Sequence, residues 1–146
     1  MRLTFLSHFV LCLGVAAGAW FAWLNDVPQA VYAADASHVT SALALMFVGM
    51  VAWIGWQAWR VDSADSAFAH LAILVMPLVG VFGTAFGISL ELKAKATGAD
   101  ILPLLGTALY CTATAALLTA VIALLTHNLD QGIKRARPER SEGARR

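Results

Sequence analysis

The chain has 146 residues, 60% of them apolar and only 13% charged, with a formal net charge of +1. Soluble domains carry about 25% charged residues, so this composition excludes an ordinary soluble enzyme or binding module and belongs to a chain built for a lipid solvent. Two cysteines, Cys12 and Cys111, both lie inside apolar runs, where a free cysteine acts as a small apolar residue, and no disulfide framework is implied.

Four stretches, 3–24, 39–59, 68–90 and 101–126, contain no Lys, Arg, Asp or Glu. At about 1.5 Å per residue, 21 to 26 residues reach about 31 to 39 Å, enough to cross a hydrocarbon core of about 30 Å. Barrel strands are much shorter and alternate in polarity, so the runs predict helices. The expected fold is all-α, an integral membrane protein with four transmembrane helices at about 3–24, 39–59, 68–92 and 101–127. Together they form a membrane domain over 1–133, followed by a basic tail over 134–146.

The first run follows Met1-Arg2 and carries small residues such as Ala16, Ala17, Gly18 and Ala19, as a signal peptide does. At 22 residues it exceeds the roughly 7–15-residue core of such a peptide, and Trp20 and Trp23 suit an interfacial anchor, so it reads as a first helix. The loop 25–38 holds Asp26 and Asp35 and no basic residue, which favours translocation. The second run ends with Trp53, Trp56 and Trp59 before a tight turn, RVDSADSA, over 60–67.

Arg2, Arg60, Lys134, Arg135, Arg137, Arg140, Arg145 and Arg146 fall on one side of the four-span topology, against Lys93 and Lys95 on the other. By the positive-inside rule both termini are expected in the cytoplasm. The tail reads as a topology anchor drawn to anionic membrane lipid, at about 1 kcal/mol per basic residue, and nucleic-acid binding is not expected. His8, His38, His70 and His127 read as interfacial polar caps without metal-site spacing. No cofactor or metal is expected.

The third run carries Pro77, Gly80, Thr84, Gly87 and Glu91 at intervals of three and four, which makes one stripe along a helix. The stripe lacks bulk, so another helix is expected to pack against it by dispersion contacts. The fourth run holds Thr107, Thr112, Thr114, Thr119 and Thr126, with Thr107/Thr114 and Thr112/Thr119 forming two pairs about 140° apart around the helix. Two distinct small-residue faces suit a helix with neighbours on both sides, as in a ring of subunits. Neither run buries an acid or base at mid-membrane, which argues against a self-sufficient transporter. Glu91 reads as an interfacial carboxylate paired with Lys95.

The segment Pro77-Leu-Val-Gly80-Val-Phe-Gly83-Thr84-Ala-Phe-Gly87 resembles the P-x-x-G-x-x-G-T-x-x-G signature of the MotA/TolQ/ExbB proton-channel family. Gly106-Thr107-Ala-Leu, Thr112-Ala-Thr114-Ala-Ala and the ending His127-Asn128 resemble that family's next helix. The resemblance covers about residues 68–133. It implies a subunit of a ring-shaped homo-oligomer, a pentamer, in a bacterial inner membrane, enclosing a one-span partner resembling ExbD, TolR or MotB. The partner's membrane aspartate takes and releases an ion, a proton on this reading, and the complex turns ion motive force into motion.

Carried over by position, Thr84 matches the threonine that faces the partner's aspartate and Thr112 its counterpart on the next helix. Thr107 stands where ExbB-like members carry glutamate and MotA-like members can carry threonine. Pro77, Gly80, Gly83 and Gly87 fall to helix packing. The chain departs from the family in having only RVDSADSA and a short tail where flagellar stators and TolQ-like members have a large cytoplasmic domain. The alternative expectation is a non-conducting membrane scaffold or assembly protein on the same fold, with a small transporter or pore-forming lysis protein behind it. No nucleophile–base set is visible, so enzymatic activity is not expected.

Overall fold

The computed structural model describes residues 3–34, 38–94 and 101–143, with side chains at 3–32, 38–61, 63–90, 92–93 and 109–136. Every regular element among them is helical: α1 (Leu3–Leu24), α2 (Val27–Ala34), α3 (Val39–Trp59), a 3₁₀ turn (Val61–Ser63), α4 (Ala67–Ala94) and α5 (Ile101–Gly143). Four of these, α1, α3, α4 and α5, contain windows long and apolar enough to cross a membrane, at Leu3–Leu24, Val39–Trp59, Ala67–Leu90 and Leu109–Ala136.

Two boundaries differ from the sequence expectation. The loop after α1 contains the short helix α2, set off by Asp26 and His38, both with positive φ (56° and 55°). Asp and His tolerate that left-handed conformation better than most side chains; Asp26 re-aims the chain between α1 and α2, and His38 stands at the N-cap of α3. The other difference is α5: its sequence allows the helix to run about two turns past the apolar stretch before fraying, and it continues through Gly143 as one helix of 43 residues. Its residues Asp130, Ile133 and Lys134 meet the 64–66 turn, so tertiary contact sustains the helix beyond the apolar run.

The α3–α4 connection is tight because both helix ends are satisfied locally. The Arg60 N–H donates to the Trp56 carbonyl, closing α3. The Asp65 carboxylate accepts the N–H of Ala67 at 3.0 Å, filling one of the orphan donors that open α4.

The core runs along the α3, α4 and α5 seam through Leu43, Ile54, Ala58, Met76, Ala115, Ile122, Leu125 and Leu129. α1 packs more loosely, and Leu6, Phe9, Val10, Leu13, Trp20 and Phe21 on it are exposed. In water such a surface would be an aggregation liability; against acyl chains it is the solvated face.

Both the start of α1 and the far half of α5 lie at one end of the bundle. Thr4 sits against Gly132, and the Ser7 hydroxyl is 2.7 Å from Asn128 Oδ1. The α3–α4 turn meets α5 at the same end. An even number of spans requires this arrangement.

Candidate functional site

The site builds from Gly80. Its missing side chain lets α4 approach α5 so closely that a Cβ would collide with Ala115 Cβ and lie 3.2 Å from the Cys111 carbonyl. One turn further along α4, at that separation, the side chains that meet are Thr84 and Thr112. Their hydroxyl oxygens are 2.7 Å apart. The Thr84 hydroxyl is also 3.2 Å from the Gly80 carbonyl of its own helix, and the Thr112 hydroxyl 3.4 Å from the same carbonyl across the interface. Both threonines are half-buried.

What fills the small-residue stripe is therefore α5 of the same chain at Gly80 and Thr84. Gly83 points elsewhere: a Cβ there would meet Val39 at 2.7 Å, so this glycine admits α3. Gly87 is buried and Pro77 half-buried. Pro77 has no N–H to give the Ile73 carbonyl, which leaves one backbone acceptor of α4 outside the helical ladder.

Two of the other threonines of α5, Thr119 and Thr126, are turned to their own backbone. The Thr119 hydroxyl donates to Ala115 O and that of buried Thr126 to Ile122 O, each at 2.7 Å. Thr114 is half-buried. The side chain of Thr107 and the Glu91–Lys95 pair lie outside the described residues. Thr40 Oγ1 and Cys111 Sγ, 3.3 Å apart, tie α3 to α5 near the Gly80 contact.

Three polar contacts were not anticipated from the sequence. His8, placed among interfacial caps by its position, is 5% exposed, and its Nε2 lies 2.9 Å from where a Cβ on Gly55 would be. That nitrogen is also 3.4 Å from Cys12 Sγ, while Nδ1 has no hydrogen-bond partner among the described residues. The i, i+4 spacing of His8 and Cys12 was the available signal. His70 Nε2 is 3.1 Å from Asp130 Oδ2, joining α4 to α5. Asn128 bridges α5 to α1, accepting from Ser7 and donating to the Thr4 carbonyl at 3.2 Å. No group of three or more metal-ligating side chains occurs among the described residues.

The class of protein defined by this arrangement is an all-helical, multi-pass membrane protein in which two of the four apolar helices, α4 and α5, meet through a threonine–threonine contact. No protein-family model matches the chain. No curated protein matches it, and neither does any solved structure.

Proposed function

We propose that the chain is the ion-conducting ring subunit, with the proton as the ion, of a complex driven by ion motive force, with five copies enclosing a one-span partner resembling ExbD, TolR or MotB. The observation that carries this reading is the hydroxyl pair Thr84–Thr112, 2.7 Å apart, mounted on a stretch with the P-x-x-G-x-x-G-T-x-x-G spacing. A hydroxyl both donates and accepts, so such a pair solvates a carboxylate or an ion where water is scarce. The complex sits in a bacterial inner membrane with both termini cytoplasmic, the side carrying most of the basic residues.

The Gly80/Thr84 face is occupied within one chain by α5. The ring therefore rests on the family resemblance and not on an unfilled stripe. The same fact favours the second reading, a non-conducting scaffold: both hydroxyls reach acceptors inside the chain, as a pure packing contact would require.

The two readings separate in vesicles. The complex is purified from native membranes and its components identified by mass spectrometry; a one-span protein with an aspartate near the start of its span should accompany the chain. Reconstituted with an entrapped pH dye, the parent complex should pass protons down an imposed gradient, and Thr84→Val should not, with assembly unchanged. Equal flux from the two would remove Thr84 from the ion path, and a parent complex that passes no protons would leave only the scaffold.

A further inference from the structure

We infer that the cleft between α3 and α4 binds one anionic phospholipid of the leaflet on the Arg60 side. This inference rests on the chain's being a membrane protein and does not depend on the ion-conducting reading.

The cleft has a volume of about 440 Å³ and is walled by Met46, Gly49 and Trp53 of α3 and by Phe68, Leu71 and Val75 of α4. Its floor is buried Met50 and Ala72. Gly49 opens it: nothing lies within 4 Å of where its Cβ would be. At the end nearer the α3–α4 turn, Trp53 and Phe68 meet edge to face with ring centroids 5.3 Å apart.

Arg60, the C-cap of α3, lies seven residues beyond Trp53, a spacing that returns to the same side of the helix. Its guanidinium is held over the Trp56 ring, 4.3 Å from the centroid, and among the described residues no carboxylate is paired with it. A fixed, exposed guanidinium offers a fork of donors that matches a phosphate.

Length decides between a lipid and other apolar occupants. From Arg60 to Met46 is 14 residues, about 21 Å along the helix, and one leaflet including its headgroup spans half of about 40–45 Å. A phosphate at Arg60 thus puts the acyl chain along the whole cleft. A helix from a second copy fits less well, because close helix approach needs small residues, and the rim here is Trp53, Phe68 and Leu71.

The test is native mass spectrometry of the purified chain equilibrated with equimolar phosphatidylglycerol and phosphatidylcholine. The parent should retain phosphatidylglycerol over phosphatidylcholine by roughly fivefold, the discrimination expected of one basic residue at the surface. Arg60→Gln should erase that preference, and Arg135→Gln, on the exposed far part of α5, should keep it. Gly49→Leu, which adds a side chain into open space without displacing a neighbour, should lower retention of both lipids. Equal retention of the two lipids by the parent would overturn the inference. So would a preference that follows Arg135, or unchanged retention by Gly49→Leu. A shift of oligomeric state in Gly49→Leu without lipid loss would assign the cleft to a second copy.

Discussion

Thr84 and Thr112 bring two protons to a cluster that includes three oxygens: their own hydroxyls and the Gly80 carbonyl. Either Thr112 donates to Thr84 and Thr84 to the carbonyl, or the order is reversed, since the carbonyl is 3.2 Å from one hydroxyl and 3.4 Å from the other. In either order both protons are spent within the cluster, so the pair presents lone pairs to a third group and can offer it a proton only by giving up the bond to the carbonyl, the longer of the contacts. If a partner's carboxylate is that group, Thr84→Val removes its polar company in a low-dielectric setting, while Thr112 still reaches the carbonyl. Folding stability should then fall by only about 0.6 kcal/mol, the mean for a membrane hydrogen bond, while proton flux is lost. Thr84→Ser should restore flux. Thr126→Val removes only a bond from a helical side chain to its own turn, at Ile122, and should leave flux at the parent level in the same vesicles.

Asn128 belongs to the same scale but to stability. It accepts from Ser7 and donates to the Thr4 carbonyl, holding the start of α1 to α5. Asn128→Leu keeps the apolar volume and removes both bonds. The expected loss is about 1 kcal/mol, and a double-mutant cycle with Ser7→Ala in detergent unfolding should show coupling of at most about 1.7 kcal/mol. Zero coupling would mean that lipid-side packing, and not this clamp, fixes α1.

Among the elements, α4 is the one whose glycines decide which neighbours it can have. Gly80 admits α5 and Gly83 admits α3, so two adjacent faces of one helix are set by two missing side chains. Filling the first site is overpacking, which costs typically about 1–3 kcal/mol. Gly80→Leu should therefore part α4 from α5 at the level of Cys111, a residue only 2% exposed. Maleimide labelling in detergent reads this directly: Cys111 should react faster in Gly80→Leu than in the parent, with Cys12, on α1, unchanged. Acceleration of Cys12 as well would indicate general loosening of the bundle.

For the molecule as a whole, the exposed apolar faces of α1 and of the outer sides of α3, α4 and α5 require lipid or other subunits. Native mass spectrometry in detergent should find a pentamer, with or without the partner bound; a clean monomer or dimer in the partner's presence would remove the ring. Orientation is tested on intact cells with an impermeant thiol reagent. Gln29→Cys, on the loop free of basic residues, should label, and Ser63→Cys, in the turn after Arg60, should label only once the membrane is opened. The reverse pattern would invert the proposed topology.

The sequence by itself determined the four helices and the co-location of the termini at one end. A charge is so costly in hydrocarbon that its absence over twenty residues leaves little other reading, and an even number of crossings returns the chain to its starting side. It also marked Thr84 and Thr112 through the resemblance, and the stripe as a packing face. Only the tertiary structure decided what each small residue faces, because helical spacing gives an angle around an axis and not the neighbour at that angle. Thus Gly80 and Gly83, three residues apart, meet α5 and α3, and Thr84 meets Thr112. The buried setting of His8 depended on a notch at Gly55, 47 positions away, and the His70–Asp130 and Ser7–Asn128 contacts join positions 60 and 121 apart. The meeting of Asp130, Ile133 and Lys134 of α5 with the 64–66 turn belongs to the same group: a polar helix segment acquires its partners from a turn that local propensity does not see.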